Sequence, residues 1–342
     1  MNEGRLVSLM RRAVDCFAPP LEGLTVLTEA GSGAFLSTPV MAALGGAART
    51  VAVTRDSRFG SAETIIADAR RLADALGVAD RIEFVTDDPR THAGDADVVT
   101  NLGFVRPLDR AFVERMKPEA AVALMWEPWE FRPEDIDLEA CLSRGIPVVG
   151  TNERDPRLRT FEHVGMLAAK LLLERDVEIL GCAIAMIGGD PFGAAVAGVL
   201  ERAGATVLRL EPGEAPDGEI DALVLVEHRD HRRLLIGKGG LDPARLAGGA
   251  VEVIHICGPV DDDAMARAGL AKHPPQRVAP GYMTVTTGHV GPKAVVDLHC
   301  AGLAVGATVA RARRGGADGR SAVQAAVDTG LGLAMPDPAL PA

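Results

Sequence analysis

The sequence predicts an α/β protein made of two doubly wound parallel-sheet domains joined by a long connecting helix. Three observations predict it. From residue 24 onward, short β-branched runs alternate with amphipathic stretches of helical spacing, the pattern of a parallel sheet covered on both faces. A glycine-rich turn follows a strand-like run once in each half of the chain. The length, 342 residues, exceeds one ordinary core and suits two.

The first element is an amphipathic helix in which Leu6, Leu9, Met10, Ala13, Val14 and Phe17 recur at helical spacing. Arg11 and Arg12 break its apolar face, so it reads as a surface-packed helix and not as a signal peptide. Strands are expected at 24–28, 50–54, 81–86, 97–102, 120–125 and 146–150, with helices at 61–76 and 138–144 between them. The connecting helix is expected near 161–174, striped by His163, Val164, Leu167, Ala168, Leu171 and Leu172. A second set of strands follows at 182–187, 206–210, 222–226, 250–256 and 283–287. Residues 292–313 read as a closing helix, and Arg314-Gly315-Gly316 opens a loose tail with one short helix near 321–328. The domains expected are 1–158, with 292–342 packing back onto it, and 159–291.

Composition narrows the function. Apolar residues make up 47% and charged residues 24%, the balance of a globular enzyme-sized protein. Lys and Arg total 36 against 47 Asp and Glu, a net charge of −11 with no basic stripe, which argues against nucleic acid and anionic lipid as partners. No apolar run approaches a membrane span. Cys16, Cys141, Cys182, Cys257 and Cys300 lie far apart with no C-x-x-C pair, which suits neither a disulfide framework nor a zinc site and points to a reducing cytoplasm.

The second glycine motif is the fuller one. A buried strand, Ala183-Ile184-Ala185-Met186-Ile187, runs into Gly188-Gly189-Asp190-Pro191-Phe192-Gly193, and the next strand ends at Glu211, where a carboxylate can bind a ribose 2′-hydroxyl. This is the context of a dinucleotide fingerprint. Asp190 departs from it, because it stands where a second glycine normally lets the backbone approach the pyrophosphate. The other reading is a plain βαβ unit that has kept the turn and lost the ligand. The first motif, Glu29-Ala30-Gly31-Ser32-Gly33, follows the strand at 24–28, and Arg55-Asp56-Ser57 supplies an acid after the next strand.

Two resemblances follow from these residues. Pro133-Glu134-Asp135-Ile136-Asp137-Leu138-Glu139-Ala140-Cys141 and then Arg144-Gly145-Ile146-Pro147-Val148-Val149 resemble the end of the first domain in D-2-hydroxyacid dehydrogenases of the formate and glycerate dehydrogenase kind. The connecting helix and the 188–193 turn continue that likeness to about Glu211. It implies two Rossmann-like domains, NAD in the cleft between them, and a homodimer. The family's catalytic residues do not carry over: Cys257 stands at the expected arginine position and Gly281 at the expected histidine position. The opening stretch, with Ala79-Asp80-Arg81-Ile82-Glu83-Phe84-Val85, resembles a class I S-adenosylmethionine methyltransferase. There Gly31 and Gly33, in the motif that Glu29 begins, would admit the methionine portion, and Asp56 would hold the ribose.

Replacement chemistry is sought at strand ends, where doubly wound sheets bind ligands. Both tryptophans fall in Met125-Trp126-Glu127-Pro128-Trp129-Glu130-Phe131-Arg132, and the one tyrosine is Tyr282. Glu127, Glu130, Tyr282 and His289 are the candidate acids and bases, and Arg106, Trp126 and Arg132 the candidate substrate contacts. The rings can equally fill an interdomain or dimer contact. Gly188, Gly189, Asp190, Phe192, Gly193, Glu211, His255 and Cys257 are the candidate cofactor contacts, and no metal site is expected. The reading is an NAD(H)-binding oxidoreductase acting on a small polar substrate in the cleft through a non-standard site. The alternatives are an S-adenosylmethionine-dependent transferase using Glu29, Gly31, Gly33 and Asp56, and a non-catalytic descendant that binds a nucleotide or a partner.

Overall fold

Helix α1 (Glu3–Phe17) forms because Asn2 caps it, accepting the Arg5 amide, and because its apolar stripe buries Leu6, Leu9, Met10, Ala13 and Phe17. The computed structural model describes residues 2–247 and 251–336. The chain divides into two units, Met1–Leu158 with Pro292–Ala342, and Arg159–Gly291.

In unit 1, α1 leads to β1 (Thr25–Glu29), α2 (Ser37–Leu44), β2 (Arg49–Val53), α3 (Ala62–Leu76), β3 (Ile82–Val85) and β4 (Val98–Thr100). The first crossing of this unit ends with α4 (Arg110–Val113), β5 (Ala121–Ala123), α5 (Leu138–Ser143) and β6 (Val148–Thr151). Unit 2 then runs α6 (Thr160–Leu173), β7 (Ala183–Ile187), α7 (Pro191–Arg202), β8 (Thr206–Leu210), β9 (Ala222–Val226), β10 (Glu252–Cys257), α8 (Asp262–Arg267) and β11 (Lys272–His273). The chain returns to unit 1 with α9 (Lys293–Arg314), α10 (Gly319–Val327) and β12 (Gly332–Ala334).

The unit 1 sheet has the order β12-β6-β5-β4-β1-β2-β3, parallel except for β12, which runs antiparallel to β6. The unit 2 sheet has the order β11-β10-β9-β7-β8 and is parallel throughout. In each, the strand order reverses beside the first strand, giving switch points at β1/β4 and β7/β9. Ligands of doubly wound sheets lie outside the C-terminal strand ends at such points. The alternation of β-branched runs with helices is thus realised twice.

Helix α9 is the centre of unit 1. Its Val296, Cys300, Ala301, Leu303, Ala307 and Val309 are buried with the side chains of β4, β5 and α1. Among the described residues it is the one helix long and apolar enough to cross a membrane, and that stretch is mostly core. Buried Asp97 ties the N-terminal ends of the strands together, accepting the Thr25 amide and pairing with Lys117 at 2.5 Å and Arg314 at 2.7 Å. All five cysteines are free thiols.

Two expectations are corrected here. Residues 283–287 form no strand, because β11 takes the free edge of β10 and Thr284 only touches the sheet, its amide on Ile256 and its hydroxyl on His255. The described residues after Gly316 are not a loose tail: α10 buries Ala322 and Ala326, and β12 pairs Leu333 with Gly150. Ala250, the expected first residue of a strand, and the proline-containing end past residue 336 lie outside the described residues.

Candidate functional site

The switch point of unit 2 is built by steric necessity. A Cβ at Gly188, whose φ is +156°, would lie 2.1 Å from the Val226 carbonyl oxygen, and one at Gly193 would lie 2.0 Å from that of Gly188. Only glycine lets β7, β9 and α7 approach so closely. Asp190 caps α7: Oδ1 accepts the Phe192 and Gly193 amides at 2.9 and 3.1 Å, and Oδ2 accepts the His228 amide at 2.8 Å. Glu227, just past β9, accepts the Gly189 amide at 3.2 Å through Oε2, and the Arg229 and Asp230 amides at 2.9 and 3.0 Å through Oε1. Burial raises the Asp190 pKa above its ordinary value and the neighbouring Glu227 charge adds to this, against the pull of the His228 and Gly193 amides.

Beside this turn is a cavity of about 280 Å³ lined by Gly188, Gly189, Arg209, Glu211, Glu227 and Arg233 among others. Phe192 points elsewhere, into an apolar wall with Phe161 and His228, its ring centroid 5.7 and 4.9 Å from theirs. A pyrophosphate is held by amides at the start of such a helix. Here Pro191 has no N–H, Asp190 takes the Phe192 and Gly193 amides, Glu227 takes that of Gly189, and two carboxylates stand beside them. The dinucleotide that the fold implies does not fit this turn.

The other residues singled out in unit 2 have structural partners. His255, in mid-β10, places Nε2 at 2.8 Å from the Gly258 carbonyl and Nδ1 at 3.0 Å from the Lys272 ammonium. Burial first and Lys272 second lower its pKa to about 4, so the ring is neutral, accepting from Lys272 and donating to Gly258. Cys257 is buried at the end of the same strand. The His289 Nε2 meets Glu174 at 2.9 Å, and His273 meets the other oxygen of that carboxylate at 3.1 Å. These hydrogen bonds, His273 first, hold the Glu174 pKa below its ordinary value. Tyr282 follows a turn closed by its amide on Ala279. Both Tyr282 and His289 belong to unit 2, whereas Arg106, Trp126, Glu127 and Glu130, expected beside them, belong to unit 1.

At the switch point of unit 1, buried Glu29 ends β1 and accepts the Phe104 amide at 2.8 Å. Burial raises its pKa, opposed by that amide and by the charges of Arg106 and Arg55. Gly31 and Gly33 shape the turn into α2, and Asp56 accepts the Ala62 amide at 2.8 Å. Asn101, just past β4, is fully buried. Its Oδ1 accepts the Met125 amide at 2.9 Å, and its Nδ2 has no hydrogen-bond partner among the described residues. A cavity of about 330 Å³ lies at the ends of β2 and β3, with Thr54, Arg55, Asp87, Arg90 and Arg106 in its wall. Behind the turn, the His299 Nδ1 lies 2.6 Å from the Thr38 hydroxyl, and its ring centroid is 5.4 Å from that of Phe35.

Arg106 and Arg132 are brought together, but by a residue that sequence reasoning missed. Both pair with the same oxygen of Asp135, at 2.5 and 2.7 Å, and both guanidinium groups lie over the Trp126 ring, at 5.3 and 5.1 Å. Next to them is an acidic group. Glu127, 3% exposed, accepts the Trp129 indole N–H at 2.6 Å. Glu153, 4% exposed and just past β6, hydrogen-bonds the Glu130 side chain and accepts the Glu127 amide. Burial, then the Glu130 and Glu127 charges, push the Glu153 pKa well above its ordinary value, against the pull of the Glu127 amide. Glu153 was findable as an acid just past a predicted strand. Among the described residues, no group of three or more His, Cys, Asp and Glu is placed to hold a metal ion.

No family model and no curated protein matches the sequence. Solved structures do match. A dipicolinate synthase structure from Bacillus subtilis is 14% identical with a TM-score of 0.51, over 83% of this chain and 95% of that one. Its counterpart from Bacillus halodurans, also a dipicolinate synthase, is 12% identical at 0.50, over 82% and 96%. The D-lactate dehydrogenase from Escherichia coli is 13% identical at 0.50, over 85% and 98%. At these identities the likeness is one of fold: two parallel-sheet units with flanking helices, as in the D-2-hydroxyacid dehydrogenases.

Proposed function

We propose that the chain is a small-molecule enzyme on a dehydrogenase-like fold, moving protons at the C-terminal strand ends of unit 1. The observation that carries this is the buried Glu153 carboxyl, hydrogen-bonded to Glu130 beside the ends of β5 and β6 and with its pKa raised by burial and by the Glu130 and Glu127 charges. A protonated carboxyl held against a second carboxyl supplies an acid and a base in one place. Glu153 is the donor and Glu130 the acceptor. Glu127, fixed by Trp129, keeps the pair polarised. Trp126 with Arg106 and Arg132 forms a rigid polar wall for the substrate. The chemistry this favours is isomerisation or elimination next to an acidic C–H. Hydride transfer with NAD(H), which the fold alone would favour, lacks its pyrophosphate cradle in unit 2. A reducing cytoplasm and a homodimer belong to this reading, the first supported by five free thiols.

A panel of small hydroxy and keto acids incubated with the protein in D2O, with C–H exchange followed by proton NMR, tests the proposal. Exchange that Glu153→Gln abolishes supports it. Exchange indifferent to Glu153, or no exchange across the panel, refutes it.

One observation favours a second reading, a transferase using S-adenosylmethionine. The cavity lies at the C-terminal ends of β2 and β3, with Arg55, the neighbour of Asp56, and Arg106, whose charge acts on Glu29, in its wall. Saturable binding of S-adenosylhomocysteine that Gly33→Val abolishes, with the circular dichroism unchanged, would favour this reading over the first.

A further inference from the structure

The two turns at the unit 2 switch point exchange carboxylates. Asp190 caps its own turn through the Phe192 and Gly193 amides and reaches across to the amide of His228. Glu227 caps its own turn through the Arg229 and Asp230 amides and reaches back to the amide of Gly189. Each carboxylate is 8% exposed and takes three backbone N–H groups. Two like charges tolerate this closeness because the amides of Gly189, Phe192, Gly193, His228, Arg229 and Asp230 are directed at them. Pro191 removes the one first-turn donor that neither of them takes.

We propose that Asp190 and Glu227 are built-in anions standing in for the pyrophosphate, so that unit 2 keeps the dinucleotide turn while being closed to dinucleotides. The glycines are then retained for packing alone. Gly188 and Gly193 are required by contacts near 2 Å that a Cβ would make with the backbone, whereas a Cβ at Gly189, on the cavity side, would meet nothing within 4 Å. The inference stands apart from the chemistry of unit 1, since it concerns only what the turn of unit 2 can hold. An incoming phosphate finds no free amide from Gly189, Phe192 or Gly193. It also meets two buried carboxylates whose own hydrogen bonds it would have to break.

Calorimetric titration of the full chain with NADH and with ADP-ribose tests this. The natural protein is expected to show no saturable binding of either up to millimolar concentration. The double variant Asp190→Gly with Glu227→Gln, which frees the helix amides and removes both charges, is expected to gain at least about tenfold in affinity for both, each tenfold being about 1.4 kcal/mol. Micromolar binding by the natural protein overturns the proposal. So does a folded double variant that gains nothing, since the carboxylates would then not be what excludes the ligand. Should Asp190→Gly unfold the unit, Glu227→Gln alone leaves the α7 cap in place and is held to the same outcomes with a smaller gain.

Discussion

Replacing His299 by asparagine isolates one buried imidazole and its effect on unit 1. His299 is 5% exposed, with Nδ1 on the Thr38 hydroxyl at 2.6 Å, and burial lowers its pKa from 6.5 to about 4. The unfolded chain therefore takes up a proton on this ring at a higher pH than the folded one. The stabilisation from keeping it neutral is complete above the unfolded value and is lost as the pH falls from there toward 4. Worked through that linkage, the single residue removes about 2 kcal/mol of stability between pH 7 and pH 5. Asparagine places an amide oxygen near the Nδ1 position and does not titrate, so it lowers stability at neutral pH but abolishes this slope. The assay is urea unfolding followed by tryptophan fluorescence. Trp126 and Trp129 are the only two tryptophans and both lie in unit 1, so the signal reports that unit. Taking the difference between protein and variant cancels the opposite pH dependence of Glu153. Parallel stability curves for the two proteins would refute the reasoning, because the ring would then titrate alike in the folded and unfolded chain.

Two further substitutions have defined outcomes. Glu153 has its folded pKa above the ordinary 4.5, so its stabilisation is full in acid and lost as the pH rises through the folded value. Glu153→Gln should leave the urea midpoint almost unchanged near pH 4 and raise it progressively as the pH climbs above the ordinary carboxyl value, at up to about 1.4 kcal/mol per pH unit. Gly193→Ala drives a methyl to 2.0 Å from the Gly188 carbonyl oxygen. It should destabilise unit 2 by about 1–3 kcal/mol, visible as an earlier loss of far-ultraviolet circular dichroism while the tryptophan transition of unit 1 keeps its midpoint.

How much of this was legible depended on whether the deciding interaction was local. The runs at 206–210 and 222–226 carry their own β-branched signal, and both are strands with those bounds. Asp190 was read as a flaw in a glycine motif. Asp followed by Pro is also the local signature of a helix cap, and the cap is what the residue makes. Strand β12 has only three residues, Gly332, Leu333 and Ala334, and no periodicity; its pairing with β6 defines it. The 283–287 segment looked like a strand by composition, but Lys272 and His273 occupy the edge it would have needed. Asp135 is one acid in an acid-rich stretch, and Glu227 precedes a run of arginines and histidines. Nothing local distinguishes an acid that gathers two guanidinium groups, or three amides, from one that faces water.

The return of the chain to unit 1 sets an order in time as well as in space. Unit 2 is one continuous stretch, Arg159–Gly291, whereas unit 1 draws its central helix α9 and its edge strand β12 from residues made after that stretch. On the ribosome, a chain halted just past Gly291 holds all of unit 2 and six strands of unit 1, but nothing to fill the space that Val296, Cys300, Leu303 and Ala307 occupy. The half that starts first is therefore finished last. The usual sequence of domain folding during synthesis is inverted, and until α9 emerges the apolar undersides of β4 and β5 are left for a chaperone, or for a neighbouring nascent chain, to meet.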